Sequence, residues 1–323
     1  MADIGDASGY DDSNRAFLQA FLARSVLTLA AARPILAALL TYRDGREVQP
    51  QDVTVEDLNS YIADSNTRLS PLDLEIRSTF HQKTRERIYA LVNTTSDPLT
   101  QLATTYSADE IVYLKKLLDA MFDGSNNRGK KEAMCLSGID AIQVGRTQGN
   151  RRTTQDGDGN ATQTNASTLG PKDAEAMLAK LVEEGWLEKS RSGFYSLSPR
   201  ALMELKGWLV DTYNDEDEDG ETRDKIKFCH ACKEIITVGQ RCPRRECRCR
   251  LHDICTQNFF RMQRSQTCPV CKTEWDGQHY VGEKAITTSE SYQMSRRRSG
   301  HRRPAESQRQ RDGDEDEQGN EDT

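Results

Sequence analysis

From residue 14 to about residue 40, the apolar residues Phe17, Leu18, Phe21, Leu22, Leu27, Leu36, Leu39 and Leu40 recur at intervals that place them on one face of a helix. Pro34 lacks an amide hydrogen and its ring crowds the preceding turn, so the pattern predicts two short helices broken near that residue. Thr54, followed three positions on by Asp57 and then by Leu58, Tyr61 and Ile62 on one face, predicts a third, capped helix. The period then changes to two. Leu72, Leu74 and Ile76 alternate with Asp73, Glu75 and Arg77, a polar segment follows, and Ile88-Tyr89-Ala90-Leu91-Val92 reads as the second strand. A further helix opens at Ser107, with Glu110 completing a capping box and Ile111, Leu114, Leu118 and Met121 facing inward.

Three helices followed by a hairpin is the order of a winged helix, and the order repeats. A helix-like stretch covers residues 133–144, and residues 171–184 place Met177, Leu178, Leu181 and Val182 on one face. Trp186-Leu187 and Phe194-Tyr195-Ser196-Leu197 flank a turn at residues 190–193, and Ser198-Pro199 caps a last helix with Leu202, Leu205, Leu209 and Tyr213 inside. Residues 145–168 are rich in Gly, Asn, Thr and Gln with almost no apolar side chain, which predicts a disordered insertion between the first two helices of the second unit.

Charge refines this outline. The chain has 323 residues, 36% hydrophobic and 29% charged, with a net charge of −7, but the acids cluster at residues 215–221 and 312–317 and arginines cluster at residues 296–303, so the sum describes linkers and tails. The expected organisation is mainly α with small β-hairpins. Residues 1–13 are disordered, 14–123 and 124–213 are two tandem winged-helix domains, and 214–224 form an acidic linker. Residues 225–280, which hold eight of the nine cysteines with His252 among them, form a RING-like two-zinc cross-brace domain, and 281–323 a disordered charged tail. No secretory leader is expected in the acidic start, and charges and Pro34 interrupt the one long apolar stretch, which excludes a membrane span there. The helix a winged fold would lay on DNA carries Asp173, Glu175, Glu183 and Glu184 against Lys172 and Lys180, which opposes docking on phosphate. Lys130, Lys131, Arg146, Arg151 and Arg152 leave only indirect or non-specific DNA contact.

The chemistry is concentrated near the C-terminal third. Eight of the nine cysteines lie between Cys229 and Cys271 in the order Cys229-x2-Cys232-x9-Cys242-x4-Cys247-x4-His252-x2-Cys255-x12-Cys268-x2-Cys271, with Cys249 over. Soft ligands in such pairs bind zinc, and eight of them suffice for two tetrahedral ions. The histidine comes fifth, because no ligand follows Cys255 at the spacing an ordinary RING finger needs. A cross-brace then assigns Cys229, Cys232, His252 and Cys255 to one zinc and Cys242, Cys247, Cys268 and Cys271 to the other, with Cys249 an alternative to Cys247. The module carries eleven Lys and Arg against four acids over residues 225–275, so it is expected to meet an acidic surface. Histone-reading PHD fingers share this ligand order, but they have a tryptophan where this chain has Gln266, whereas Cys268-Pro269-Val270-Cys271 has the proline of RING fingers.

The Phe17-Leu18-Gln19 helix, the strand Ile88-Tyr89-Ala90-Leu91-Val92-Asn93, the Trp186-Leu187 hairpin edge and the cysteine array together resemble the family of the first non-SMC element subunit of the structural-maintenance-of-chromosomes five/six complex. The resemblance implies a variant-RING ubiquitin-protein ligase in the nucleus, acting in DNA repair and recombination and docked on the MAGE-family subunit beside the kleisin. Relatives resemble Cys-x2-Cys where this chain has Cys242-x4-Cys247. Such a ligase would use Ala231, Ile235, Ile236, Pro269 and Lys272 to contact a conjugating enzyme and ubiquitin. It has no catalytic nucleophile of its own, and Cys135 and Cys249 lack a matched histidine and acid. The competing readings are an adaptor whose finger is structural and a histone-tail reader, which would need an aromatic cage that this sequence does not display.

Overall fold

The computed structural model describes residues 10–94, 105–124, 127, 131–146, 169–216 and 222–294. Met1–Ile286 is one compact unit and Thr287–Thr323 a second. Among the described residues no helix is long and apolar enough to cross a membrane.

The helix Asp12–Arg24 starts earlier than the sequence indicates. Asp11 accepts from the backbone of Ser13 and Asn14 in a reciprocal capping box, and the Ser13 hydroxyl lies 2.9 Å from that of Tyr61, so residues 11–13 belong to the folded unit and not to a disordered start. Its break is also displaced. Ser25 adopts a left-handed conformation, Val26–Thr28 forms a short strand, and the next helix, Leu29–Asp44, runs through Pro34. Thr28 caps that helix by accepting from the Ala31 amide, and Pro34 stands inside it, where its missing amide removes one i→i−4 hydrogen bond without ending the helix. Val55–Leu69 has the expected Thr54–Asp57 capping box. The strand Arg87–Asn93 lies between Val26–Thr28 and Leu74–Phe80, with Val26 opposite Ala90 and Ile76 opposite Leu91, all antiparallel. One core, with Phe17, Phe21, Leu36, Leu58, Tyr61 and Ile76 among its buried members, holds this first unit.

The helix Ala108–Phe122 packs in the second core, which corrects its placement with residues 14–123. Its Tyr113, Leu117 and Met121 share that core with Ala141, Leu178 and Leu197, and the Tyr113 hydroxyl donates to the Ala141 carbonyl at 3.0 Å. It thereby supplies the first helix of the second unit. Residues 133–135 are not helical; the strand Leu136–Ser137 leads into the helix Gly138–Val144, and Pro171–Glu183 follows. The strand Phe194–Leu197 lies between Leu136–Ser137 and Leu187–Lys189. Both units thus run helix, strand, helix, helix, strand, strand, an order compatible with two winged helices. The insertion falls between the second and third helices of its unit, and its residues 147–168 lie outside the described residues, as do Lys130, Arg151 and Arg152. The last helix of the unit is two pieces, Pro199–Glu204 and Lys206–Tyr213, joined at Leu205.

The acidic linker is also structured at its flanks, where Asn214–Glu216 pairs with Thr222–Asp224; residues 217–221 lie outside the described residues. Beyond it, Gly239–Arg241 is flanked by Arg250–Leu251 and Tyr280–Val281, and Asp253–Gln263 is a helix. The last strand corrects the start of the tail. Val281 is fully buried and shares the second core with Ile226, Ile235 and Ile236, so the cysteine-rich module packs its apolar side on the helical unit before it. Residues 295–323, including the arginine cluster, lie outside the described residues.

Candidate metal centre

Both Cys-x2-Cys loops have the same backbone geometry. Lys233 and Lys272, each directly after the second cysteine of its loop, are left-handed, with φ of 63° and 60°. The amide of Lys233 donates to the Cys229 carbonyl at 2.9 Å and that of Lys272 to the Cys268 carbonyl at 3.0 Å. The amides of Cys229 and Cys268 donate in turn to the carbonyls of Glu234 and Thr273, both at 2.8 Å. This turn points two sulfurs at one place. The intervening ligands come from regular structure, with His252 at the N-cap of the helix Asp253–Gln263, Cys255 in its first turn, and Cys242 and Cys247 around the loop after the strand Gly239–Arg241.

The topology gathers these eight side chains into two groups: Cys229, Cys232, His252 and Cys255 in one, and Cys242, Cys247, Cys268 and Cys271 in the other, with all ligand atoms of each group within 4.8 Å of one another. In the first, His252 Nδ1 lies 3.3 Å from Cys232 Sγ and 3.9 Å from Cys255 Sγ. In the second, Cys242 Sγ is 3.4 Å from Cys271 Sγ, and Cys247 Sγ is 3.6 Å from Cys268 Sγ. A tetrahedron with metal–sulfur arms of about 2.3 Å has edges of about 3.8 Å, so the separations suit a four-coordinate metal. His252 is prepared for it. Its Nε2 faces the Ile235 carbonyl at 3.1 Å, which holds the proton on that nitrogen and leaves Nδ1 as a donor to the metal. The hydrogen bond between Cys229 and Cys232 draws the Cys229 thiol down, against its burial, and pushes the Cys232 thiol up.

Cys249 is outside both groups. It is buried, and its carbonyl accepts from the Cys242 amide at 3.1 Å and from Arg250 Nη1 at 2.9 Å. Cys135 is buried in the second helical unit, and that burial pushes its thiol up to about 12, which removes it as a nucleophile. Phe260 and Trp275 are buried between the clusters, with ring centroids 5.5 Å apart, and Trp275 Nε1 donates to Gln240 Oε1 at 2.9 Å.

The candidate contact residues separate sharply. Ala231 and Lys272 are exposed, Pro269 is half-buried, and Lys272 Nζ donates to the Pro269 carbonyl at 3.1 Å. Ile235 and Ile236 are buried, at 2% and 0% exposure, in the core shared with the second helical unit. They hold the module in place and cannot face a partner, which corrects their assignment as contacts. Val270, 55% exposed beside Pro269, and Met262, 83% exposed on the helix, present apolar surface that no sequence pattern marks. The helix bridges the two loops: Phe259 meets the His230 ring edge-on at 5.9 Å, and Gln263 Nε2 donates to the Thr267 carbonyl at 2.8 Å.

A second unforeseen group lies behind the clusters. Arg250, 2% exposed, donates from Nε and Nη2 to the Glu132 carboxylate at 2.6 and 2.5 Å and from Nη1 to the Cys247 carbonyl at 2.6 Å. Lys227 Nζ donates to the same carboxylate at 2.6 Å, and the Glu132 carbonyl accepts from the Gly282 amide at 2.7 Å. Burial raises the Glu132 carboxyl, but the hydrogen bonds and charge of Arg250, with Lys227, outweigh it and bring it to about 2. No local pattern marks Glu132 or Arg250, because each is one charged residue in a stretch whose partner is 118 positions away.

Comparison with known proteins finds relatives of both the helical part and the cysteine array. A family model described as Nse1 non-SMC component of SMC5-6 complex matches residues 14–205, and a model described as RING-like domain matches residues 229–271. The chain is similar to the Non-structural maintenance of chromosomes element 1 homologs of Pongo abelii and Homo sapiens, 25% and 24% identical over 264 residues, covering 82% of this chain and 84% of each relative. The Schizosaccharomyces pombe protein is 22% identical over 237 residues, covering 73% of this chain and 84% of its own length. A solved chain described as Nse1-Nse3-Nse4 complex shares the fold, with a TM-score of 0.62 at 22% identity over 83% of this chain and 97% of that one.

Proposed function

The chain belongs to the family of Nse1 non-SMC components of the SMC5-6 complex, and from that premise we propose that it is a RING-type ubiquitin-protein ligase subunit that orients a ubiquitin-loaded conjugating enzyme for transfer to a lysine. Supporting this reading is one observation above the others: the apices of the two matched loops, at Ala231 and at Val270 with Lys272, are open to solvent while most of the ligand sulfurs behind them are buried. Zinc ions fit both clusters by donor type and spacing, held by Cys229, Cys232, His252 and Cys255 and by Cys242, Cys247, Cys268 and Cys271. Zinc bound there supplies rigidity and no redox chemistry. The chain's own contribution is positional. Ala231, Val270 and Pro269 offer apolar contact to the conjugating enzyme, Lys272 offers a cation beside the ubiquitin thioester, and the gain comes from holding the reacting groups in one orientation.

The solved neighbour, an Nse1-Nse3-Nse4 complex, supports assembly with a MAGE-family subunit and a kleisin, and we place the protein with them in nuclear DNA repair. Discharge of a ubiquitin-loaded conjugating enzyme by the purified complex tests the reading: Lys272→Ala should slow discharge at least tenfold with full metal content retained. No discharge from a full panel of conjugating enzymes would overturn it in favour of an adaptor. The adaptor reading has its own support in the shared core of Ile226, Ile235, Ile236 and Val281, which makes the module a fixed part of the body. Deleting residues 290–323 and imaging the protein tests whether the basic tail directs it to the nucleus.

A further inference from the structure

Gln82 lies in the turn between the strands Leu74–Phe80 and Arg87–Asn93 of the first helical unit, far in sequence from the cysteine array. Its amide is nonetheless committed to that array. Oε1 accepts from the amides of Thr237 and Val238 at 3.0 and 2.9 Å, and Nε2 donates to the Ile235 carbonyl at 2.9 Å. Two donors on one side and an acceptor on the other leave a single orientation of the amide that satisfies all three. The Ile235 carbonyl is the same group that His252 Nε2 faces at 3.1 Å, while His252 Nδ1 points at the sulfurs of Cys232 and Cys255. One carbonyl therefore receives a donor from the first unit and a donor from a metal-cluster ligand.

We propose that Gln82 is a positioning residue for the cluster of Cys229, Cys232, His252 and Cys255: it fixes the Ile235 carbonyl, and through it the tautomer and orientation of the His252 ring. The inference rests on the reading that both clusters hold metal. Groups that orient a ligating histidine contribute about 10–100-fold to metal affinity when they are removed. Gln82 has a specific physical task here, because the backbone bonds that tie this segment to its neighbour, from the Ile236 amide to the Lys227 carbonyl and from the Cys229 amide to the Glu234 carbonyl around the isolated Phe228–Ile235 bridge, do not use the Ile235 carbonyl. It also follows that the turn of the first unit and the first metal cluster move together.

The test uses the full chain loaded with cobalt(II), whose absorption reports the ligand field, and then with zinc under competition from a chelating dye. Wild type should bind two ions; failure to bind them would end the metal reading itself, separately from the role of Gln82. In Gln82→Ala and in Gln82→Glu, which keeps the length but loses the donor, one of the two ions should be held about tenfold or more less tightly with an altered cobalt spectrum, and the other should be unchanged. In a His252→Cys background no ring remains to be oriented, and Gln82→Ala should then leave the affinity of the resulting all-cysteine site unchanged. Two ions held as in wild type, both ions weakened alike, or an equal loss in the His252→Cys background would each overturn the proposal.

Discussion

Replacing Glu132 by Gln removes one negative charge from a buried cluster and leaves Arg250, almost wholly excluded from solvent, without its counter-ion. The size of the effect follows from the titration of the carboxyl. Its folded value of about 2, against an ordinary 4.5, corresponds to about 3 kcal/mol at neutral pH, since each unit is worth about 1.4 kcal/mol. Removing one partner of a buried pair typically costs about 3–5 kcal/mol, which brackets the same figure. Urea unfolding at pH 7 with zinc present, followed by tryptophan fluorescence, should therefore show Glu132→Gln destabilised by about 3 kcal/mol. The pH dependence has a definite sign. A carboxyl whose folded value is depressed contributes its full stability above its unfolded value, so the gap between wild type and variant stays level from neutral pH down to about 5.5 and closes as the pH falls from about 4.5 towards 2. A loss below about 1 kcal/mol, or a gap that widens on acidification, would refute the claim that the second helical unit is tied to the cysteine module through this carboxylate.

Three further outcomes follow from the geometry. Cys247→Ser should lose one of two bound metal ions by mass spectrometry under native conditions, whereas Cys249→Ser should keep both, because only Cys247 reaches the second cluster. Ile236→Ala should lower stability by about 2–5 kcal/mol in the same urea assay, the range for emptying a buried aliphatic site, while Ala231→Ser changes it by less than about 0.5 kcal/mol. Stripping the protein with a strong chelator should abolish the near-ultraviolet dichroism of Trp275, which lies between the clusters, and leave the helical signal of residues 12–69 largely in place, because that core contains no ligand.

The legible parts of this protein were those set by local chemistry. The capping boxes at Thr54 and Ser107 involve residues within a few positions of one another and appear where the pattern puts them, whereas the alternation that starts at Leu72 becomes a strand only from Leu74, because Ser70–Leu72 forms a 3-10 turn that leaves Leu72 exposed. The grouping of helices was not legible. Ala108–Phe122 has an apolar face that fits either core in outline, and only its packing on Ala141 and Leu178 assigns it to the second. Val281 illustrates the same limit, since a lone valine ahead of a polar tail gives no periodic signal, yet it completes a three-stranded sheet.

For the cysteine array, the sequence by itself determined the number, type and order of ligands, because those depend only on which side chains carry soft donors and how far apart they lie. The tertiary structure decided which sulfur joins the second cluster, which apolar residues of the module stay exposed, and what stands behind the ligands. Cys247 and Cys249 lie two positions apart and only the first joins a cluster, Ile235 and Ile236 differ from Val270 only in what packs on them, and Gln82 and Glu132 reach the module from more than 90 positions away. Those distinctions arise from the direction of a side chain once distant segments have met, and short-range sequence patterns carry no record of that encounter.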